Sequence, residues 1–352
     1  MPPRPRSALA AFCHLACLVL GLGSAPAPAQ PGPDGYDWVR IGAVSNPAYS
    51  GVDPLGYTTG RGSVGYEFNI GRYEVTSAQW VEFYNAALNR ADPIPWVQTP
   101  VFWGGTRNSP SGPFTVRTGG DMLPAGGMTW RTCAILCNWL TNGKSTDRTA
   151  FMSGAYAVST FGEDGQGGFT DQLTHSPGAT YWIPTRDEWL KAAHYDPHKH
   201  NSDGTIGGWW LYNTTSDTAP VYGPPPGFTN GSPLNQANAG FSLPGNREFS
   251  IPLGAYTNVT SPWGLYDTAG ATGEWLEEAA GRIGRFAEGS AWSGGVGGDL
   301  IWSAAGGYPG DASFSYGMRL AHVIPAPSSL IVIGACGTFG IGRRGGTGRM
   351  GD

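Results

Sequence analysis

Three segments of the chain place apolar side chains at helical spacing behind a capping residue. Thr76 with Gln79, and Thr185 with Glu188, have the spacing of a capping box, and Thr129 precedes the third segment. The apolar positions that follow share one helix face in each segment: Trp80, Phe83, Tyr84 and Ala87; Ile135, Leu136 and Trp139; Trp189, Leu190 and Ala193. The pattern therefore predicts three amphipathic helices that begin at threonines.

The remaining chain is divided between short extended segments and long loops. The segments "IGRYEV", "MLPAGGM" and "YWIP" lead into the helices and are predicted to be extended. Gly, Pro, Asn and Ser dominate the connections, as in "GPPPGFTNGSPLNQANAG". Loops of this kind need hydrogen bonds, tryptophan packing or bound cations to order them. With no internal repeat and no clear linker between residues 36 and 322, we expect one irregular, loop-rich α+β domain.

Composition narrows the functional classes. Only 13% of the 352 residues are charged, whereas the chain holds 56 Gly, 29 Pro and 14 Trp, which disfavours a helical bundle. The net charge is -5 without a basic stripe, so nucleic acid is not an expected partner. No G-x-S-x-G, Walker loop or dinucleotide fingerprint followed by an acid occurs, so the sequence does not predict those chemistries.

Residues 1–29 have the pattern of an export signal. Arg4 and Arg6 precede an apolar stretch from residue 8 to residue 22, and Ala27-Pro28-Ala29 matches an A-x-A cleavage pattern. The stretch is shorter than the roughly 20 apolar residues of a spanning helix. We therefore predict a cleaved signal and an exported protein whose mature domain covers residues 30–322.

Residues 323–352 have the pattern of a sorting tail. An apolar run from Leu330 to Ile341 is followed by Arg343, Arg344 and Arg349. This order resembles the bacterial PEP-CTERM tail, with Ala326 where that motif has Glu. The resemblance implies transfer to the cell surface by an exosortase-type enzyme. A weak membrane anchor and a buried helix are the alternative interpretations.

Two cysteines, Cys133 and Cys137, lie within the predicted domain. Their i, i+4 spacing puts them on one helix face but aims them poorly for a disulfide. We expect both to be small core residues.

The stretch "GLYDTAGATGEW", residues 264–275, places two acids around a glycine-rich bend. A helix is predicted to begin near Glu274, with Glu277 and Glu278 at its solvated end. The bend is interpreted as a calcium loop, a pair of catalytic acids or only a turn. The oxygens of a calcium loop would come from Asp267, Gly270, Thr272 and Glu274.

The stretch "HYDPHKH" offers His194, His198 and His200 as a weak metal-binding pattern. Such spacing is compatible with zinc or iron. Pro197 interrupts the helix that would align the first two histidines, so a polar loop is the alternative interpretation.

Six motifs, in order, resemble the formylglycine-generating enzyme family, also called sulfatase-modifying factors. They are "GRYEVTSAQWVEFYNAA", "PAGGMTWRTCAILCNWL", "YWIPTRDEWLKAAHY", "SPWGLYDTAGATGEWLEE", "RFAEGSAWSGG" and "YGMRLA". The resemblance covers about residues 64 to 322. It implies one irregular α+β domain, distantly related to C-type lectins, with bound calcium.

The resemblance assigns calcium ligands to two regions. It implies a structural calcium ion at Asp267, Gly270, Thr272 and Glu274. A second calcium ion would use Asn238 and the carbonyls of Ala239 and Tyr256, but Gly254 stands where the family has an acid. The missing acid weakens the resemblance at the second site.

The positions of the family's oxidase cysteines differ in this chain. In the family, two thiolates bind copper(I) and activate oxygen, which converts a target cysteine to formylglycine. Here Ser293 and Gly298 stand at those positions. Neither replaces a thiolate toward a soft metal ion, so copper and the oxidase activity are not expected.

Two functions from different classes follow from the sequence. The first is a surface-sorted, non-catalytic module that binds a peptide or glycan through tryptophan-rich neutral loops, or serves in the cell envelope. The second is a metal-dependent oxidase with an altered site, which would hold iron or copper at the three histidines.

Overall fold

The computed structural model describes residues 32, 34–312 and 315–324. The export signal and nearly all of the sorting tail lie outside the described residues, so both stay predictions. Among the described helices, none combines the length and apolar character that a membrane crossing requires.

The regular elements are short and separated by long loops, as expected for a loop-rich α+β domain. The helices are α1 (Ser77–Leu88), α2 (Trp130–Thr141), α3 (Arg148–Met152) and α4 (Arg186–His194). The strands are β1 (Trp38–Ile41), β2 (Phe68–Gly71), β3 (Gly105–Thr106), β4 (Thr115–Val116), β5 (Tyr181–Trp182), β6 (Tyr195–His200), β7 (Ile206–Trp209), β8 (Gly273–Ala280), β9 (Gly284–Glu288), β10 (Ala305–Gly307), β11 (Tyr316–Gly317) and β12 (Ala321–His322).

The three predicted helix starts are confirmed at the level of the cap. The side chains of Thr76 and Gln79 form both hydrogen bonds of a capping box, and Thr185 and Glu188 repeat the arrangement before α4. Thr129 accepts a hydrogen bond from the backbone amide N–H of residue 132 and caps α2. Local chemistry therefore determines where these helices begin.

Two four-stranded sheets form the frame of the domain. One has the strand order β1-β2-β12-β5, and the other has the order β10-β9-β8-β11. In the first, Ala321 of β12 pairs with Ile70 of β2 and with Trp182 of β5, both antiparallel. In the second, β8 pairs antiparallel with β9 and parallel with β11. The last strand of the domain therefore lies beside one of its first.

Helix α2 is the centre of the main core. From Trp130 to Leu140 each of its residues is buried, and the neighbouring rings of Trp80, Phe83 and Trp275 are fully buried. Cys133 and Cys137 lie in this helix as free, buried thiols. Their predicted role as small core residues is confirmed.

The prediction of a helix near Glu274 is wrong. Residues 273–280 form β8, and its first five residues are all buried. Because both faces of the strand are covered, its sequence lacks the alternation that marks a half-exposed strand. Glu277 is likewise not a solvated helix end, since it is only 2% exposed and accepts a 2.9 Å hydrogen bond from the Tyr156 hydroxyl.

The caps predict a direct stability effect. Thr185→Ala should lower the free energy of unfolding by about 1 kcal/mol, because it removes the acceptor for a backbone N–H at the start of α4. Thr118→Ala, at an exposed loop position, is the control and should be close to neutral. Urea unfolding measures both variants. Equal stability of the two would contradict the role of the cap.

Candidate functional site

The bend before β8 has a backbone that only certain residues tolerate. Asp267 and Ala271 have left-handed backbone conformations, with φ of 54° and 58°. Gly270, at φ 87°, lies so close to the neighbouring chain that an added Cβ would be 2.6 Å from the backbone nitrogen of Asn238. Uncommon conformations of this kind are retained where the surroundings enforce them. The surrounding structure therefore holds this bend in one specific conformation that an ordinary turn would not need.

The structure brings the two predicted calcium regions together. Asn238 and Gly270 form a parallel bridge, and the Ala271 N–H donates to the Asn238 carbonyl at 3.0 Å. The Gly254 N–H donates to Asp267 Oδ2 at 2.6 Å. The carboxylate of Asp267 thus lies beside the glycine that stands where an acid was expected.

Glu274 forms a buried ion pair with Arg319. Arg319 Nη2 lies 2.8 Å from Glu274 Oε1, and Arg319 Nε lies 3.0 and 3.1 Å from the two carboxylate oxygens. Trp189 Nε1 adds a hydrogen bond of 2.7 Å to Oε2. The side chains are 0% and 1% exposed. A carboxylate has about four lone-pair positions, so these four contacts, two on each oxygen, satisfy Glu274.

Glu74 is an acid of this site that sequence reasoning missed. It is 2% exposed, and its Oε1 accepts a hydrogen bond of 3.1 Å from the Thr272 N–H, whereas its Oε2 has no hydrogen-bond partner. Burial and the charge of Glu274 raise its pKa well above the ordinary value, against the effect of Arg319. The one available signal was an acid in the apolar lead "IGRYEV".

The charges of this region are unbalanced. Burial raises the pKa of Asp267 to about 6, although the Gly254 N–H and Arg319 oppose the shift. Within the described part of the chain, Asp267, Glu274 and Glu74 thus share the charge of Arg319 in a poorly hydrated environment. Removing carboxylates from water without enough counter-charge is costly, and a bound cation would offset that cost.

The donor set of the region fits a hard cation such as calcium. Carboxylates, an amide oxygen and backbone carbonyls are the ligands that calcium takes, and the buried Oδ1 of Asn238 has no hydrogen-bond partner. Across the described part of the chain, no group of three or more His, Cys, Asp or Glu side chains could hold one metal ion. A calcium ion here would therefore depend on Asn238 or on carbonyls as well as on the acids.

The three histidines do not converge. His194 ends α4, is 1% exposed and has its Nδ1 3.1 Å from the Trp210 carbonyl. His198 and His200 are exposed in β6, which pairs with β7, so the segment is a strand and not a loop. Burial lowers the pKa of His194 to about 3. The arrangement is that of one buried neutral imidazole and two surface residues.

Comparison with known proteins identifies the domain. Residues 61–324 match the model of the sulfatase-modifying factor enzyme 1-like domain. The chain belongs to the sulfatase-modifying factor family. Its predicted fold class, a single irregular α+β domain of this type, is thereby confirmed. No curated protein matches the chain.

Three solved structures are similar to this chain at low identity. CarF is 22% identical with a TM-score of 0.52, and the match covers 82% of this chain and 99% of CarF. Treponema denticola variable protein 1 is 18% identical with a TM-score of 0.43, covering 82% and 95%. PvdO from Pseudomonas aeruginosa is 15% identical with a TM-score of 0.46, covering 85% and 100%. At 22% identity, the match to CarF shows the fold alone.

Ser293 and Gly298, which were predicted from the sequence to stand at the positions of the oxidase cysteines, carry no thiol. Ser293 is exposed, and its Oγ lies 3.2 Å from Ser315 Oγ. At Gly298, an added Cβ would lie 3.1 Å from the Cβ of Ser290. In the described residues the cysteines are Cys133 and Cys137, which lie in α2 and not beside this loop, and burial raises the pKa of both thiols.

The loop around Ser293 is held by a buried acid. Asp299, 1% exposed, accepts hydrogen bonds from the Ser290 N–H and hydroxyl, each 2.9 Å long. The Tyr222 hydroxyl donates to Asp299 Oδ2 at 2.6 Å. Each of these donors stabilises the charged carboxylate. These hydrogen bonds therefore help to fix the shape of the loop.

The pKa of His194 predicts a loss of stability in acid. The unfolded chain binds a proton at this residue below about pH 6.5 while the folded protein does not, so folding weakens as the pH falls toward 3. Relative to His194→Gln, the wild type should lose about 2 kcal/mol of unfolding free energy between about pH 7 and about pH 5. Denaturant unfolding at the two pH values measures this.

His175 serves as a control because its contribution to stability should have the opposite pH dependence. Burial lowers its pKa, but the hydrogen bond to Glu277 and the charge of that residue outweigh burial and raise the pKa overall. Its contribution is therefore present below the unfolded pKa and is lost as the pH rises through the folded pKa. Relative to His175→Gln, the wild type should gain stability in acid. For His194, an equal pH dependence of the unfolding free energy in the wild type and in His194→Gln would contradict its lowered pKa.

Proposed function

We propose that this protein is an exported, surface-sorted binding or envelope module that uses the sulfatase-modifying factor fold without the family's oxidase centre. The observation that carries the proposal is the chemistry of Ser293 and Gly298, which stand where the resemblance expects thiolates, with the Ser293 hydroxyl beside that of Ser315. Copper(I) is soft and selects sulfur ligands, and a serine hydroxyl supplies neither the softness nor the negative charge. This chemistry supports a function that does not use copper oxidation.

Calcium is the cofactor that we propose. Asp267 and Glu274 would hold the ion with the carbonyls of Gly270 and Thr272, and the unpartnered Oδ1 of Asn238 supports a second position with Ala239 and Tyr256. When bound, calcium would neutralise the carboxylates that now share Arg319. The residues themselves fix the bend before β8 and orient its carbonyls. The role of the ion is therefore structural.

A peptide or glycan ligand is supported by aromatic surface. Tyr49, Trp209 and Trp302 line an open cavity of about 370 Å³ together with Val52 and Leu211. Aromatic rings provide rigid contact area at low entropic cost, and they suit both extended peptides and sugar faces. Trp80, Trp130, Trp189 and Trp275 are instead fully buried, so they serve the core.

Export and sorting complete the proposal. Residues 1–29 support passage through the export machinery, and the apolar run and arginines of residues 323–352 support processing by an exosortase-type enzyme. The protein would then reside at the cell surface or outside the cell. Contact with the membrane would be limited to the tail.

Metal content tests the proposal. The full chain, exported and purified without refolding, should contain calcium and no stoichiometric copper or iron when measured by mass spectrometry. Asp267→Ala should lose calcium and unfold at a lower temperature, because a ligand that binds only the folded state stabilises it. Asp92→Asn, a surface acid paired with Arg148, is the matched control and should retain calcium.

The outcomes separate the two functions. Stoichiometric copper or iron would contradict a non-redox module and favour the alternative, a metal-dependent oxidase with an altered site. In that case His198→Ala should abolish metal binding. A protein free of calcium, whose melting temperature does not respond to added calcium, would contradict the cofactor proposal.

A further inference from the structure

A second acidic feature lies between the N-terminal segment, the end of β2 and the start of α1. There a cavity of about 400 Å³ is lined by three acids, Asp37, Glu74 and Asp121. The aromatic residues Tyr36 and Tyr73 also line it. Its volume is in the range of small-ligand pockets. This acidic cavity is separate from the aromatic cavity of Tyr49 and Trp209.

Two carboxylate oxygens at this cavity have no hydrogen-bond partner. Asp37 accepts a hydrogen bond of 2.9 Å from Arg72 Nε at Oδ2, but its buried Oδ1 has none. Glu74 accepts one from the Thr272 N–H at Oε1, but its buried Oε2 has none. Each acid is therefore anchored by one oxygen and unsatisfied at the other. Buried polar atoms in this condition normally have a partner that the bare chain does not supply.

Two side chains that could donate to these oxygens, Arg72 and Gln79, also donate to backbone carbonyls. Arg72 donates through Nη1 to the Gly264 carbonyl in addition to its bond with Asp37. Gln79 donates through Nε2 to the Gly35 carbonyl, and its Oε1 accepts from the Thr76 N–H. Asp37 Oδ1 therefore receives no hydrogen bond from Arg72 or Gln79, whereas Glu74 has the Thr272 hydroxyl beside it.

We propose that the acidic cavity binds a cationic nitrogen group, an ammonium or a guanidinium, of a small molecule or of a partner's side chain. Such a group brings N–H donors and positive charge together, and hydrogen bonds between charged groups are stronger than neutral ones. The rings of Tyr36 and Tyr73 add surface that attracts cations. The negative charge of the whole chain, -5, favours the approach of a cation.

A metal ion fits this cavity less well. Within the described ranges no set of three or more His, Cys, Asp or Glu side chains is close enough to hold one. An organic cation needs only the two unsatisfied oxygens and the rim acid Asp121. The proposal deepens the binding role suggested above and rests on it. Because Glu74 lies beside both the cavity and the proposed calcium region, the calcium content of each variant is measured together with cation binding.

Calorimetric titration of the full chain tests the inference. The probes are n-butylammonium and n-butylguanidinium chloride, with 1-pentanol as the neutral analogue. The tripeptides Gly-Lys-Gly and Gly-Arg-Gly represent side chains of a partner. We expect saturable binding of at least one cation and none of 1-pentanol. Tighter binding of a tripeptide than of the matching small cation would identify a peptide as the source.

Variants locate the binding in the cavity. Asp37→Asn and Asp121→Asn should each weaken the cation affinity about tenfold, since each removes a charged partner. Ala78→Leu, on the half-buried first turn of α1, should fill part of the cavity and also weaken binding. Glu74 itself is left unchanged, because a substitution of this fully buried acid would also affect folding. Glu82→Gln, an exposed acid of α1 paired with Lys144, should leave the affinity unchanged.

The calcium content of each variant separates this inference from the proposed function. If Asp37→Asn, Asp121→Asn and Ala78→Leu retain calcium but lose cation binding, the acidic cavity is established as a distinct site. The inference is overturned if no cation binds saturably, or if binding persists unchanged in those three variants. Either result would leave the measured metal content, and with it the proposed non-redox module, untouched.

Discussion

The buried ion pair between Arg319 and Glu274 is the interaction on which the domain depends. Besides holding the carboxylate, Arg319 donates to the carbonyls of Gly71 and Tyr266, each at 2.8 Å. One guanidinium thus connects the end of β2, the bend before β8 and β8 itself. Two charges removed from water are stable only when such donors and acceptors are satisfied together. These contacts of Arg319 therefore hold β12, the last strand of the domain, beside β2.

The buried contacts of Glu274 hold the frame of the domain together, whereas Ser293 lies at the surface. Glu274 also accepts from Trp189 of α4, so the two sheets and α4 meet at one carboxylate. Ser293, by contrast, lies exposed on a loop that hydrogen bonds to Asp299 help to hold. A substitution at Ser293 is therefore expected to leave the frame of the domain intact. The fold does not depend on the side chain at this position.

The sequence predicted the features that depend on neighbouring residues. Threonine caps and helical spacing located α1, α2 and α4, because a cap acts within one turn. It did not predict β8, whose two buried faces hide the strand period. Nor did it predict the role of Glu74, whose partner Thr272 is 198 residues away, or the Arg319 partner of Glu274, 45 residues away. The predicted metal site at the three histidines does not form, although these residues are close in sequence. His194 ends α4, whereas His198 and His200 lie in the following strand β6, so their side chains diverge.

The central claim is tested most directly by a double-mutant cycle on Arg319→Met and Glu274→Gln, with urea unfolding in the presence of a chelator so that metal loss does not contribute. Each single change should cost about 3–5 kcal/mol, because it leaves a buried charge or its polar partners unpaired. The double variant should cost far less than the sum, which reports direct coupling. Small, additive effects of the two changes would contradict the account.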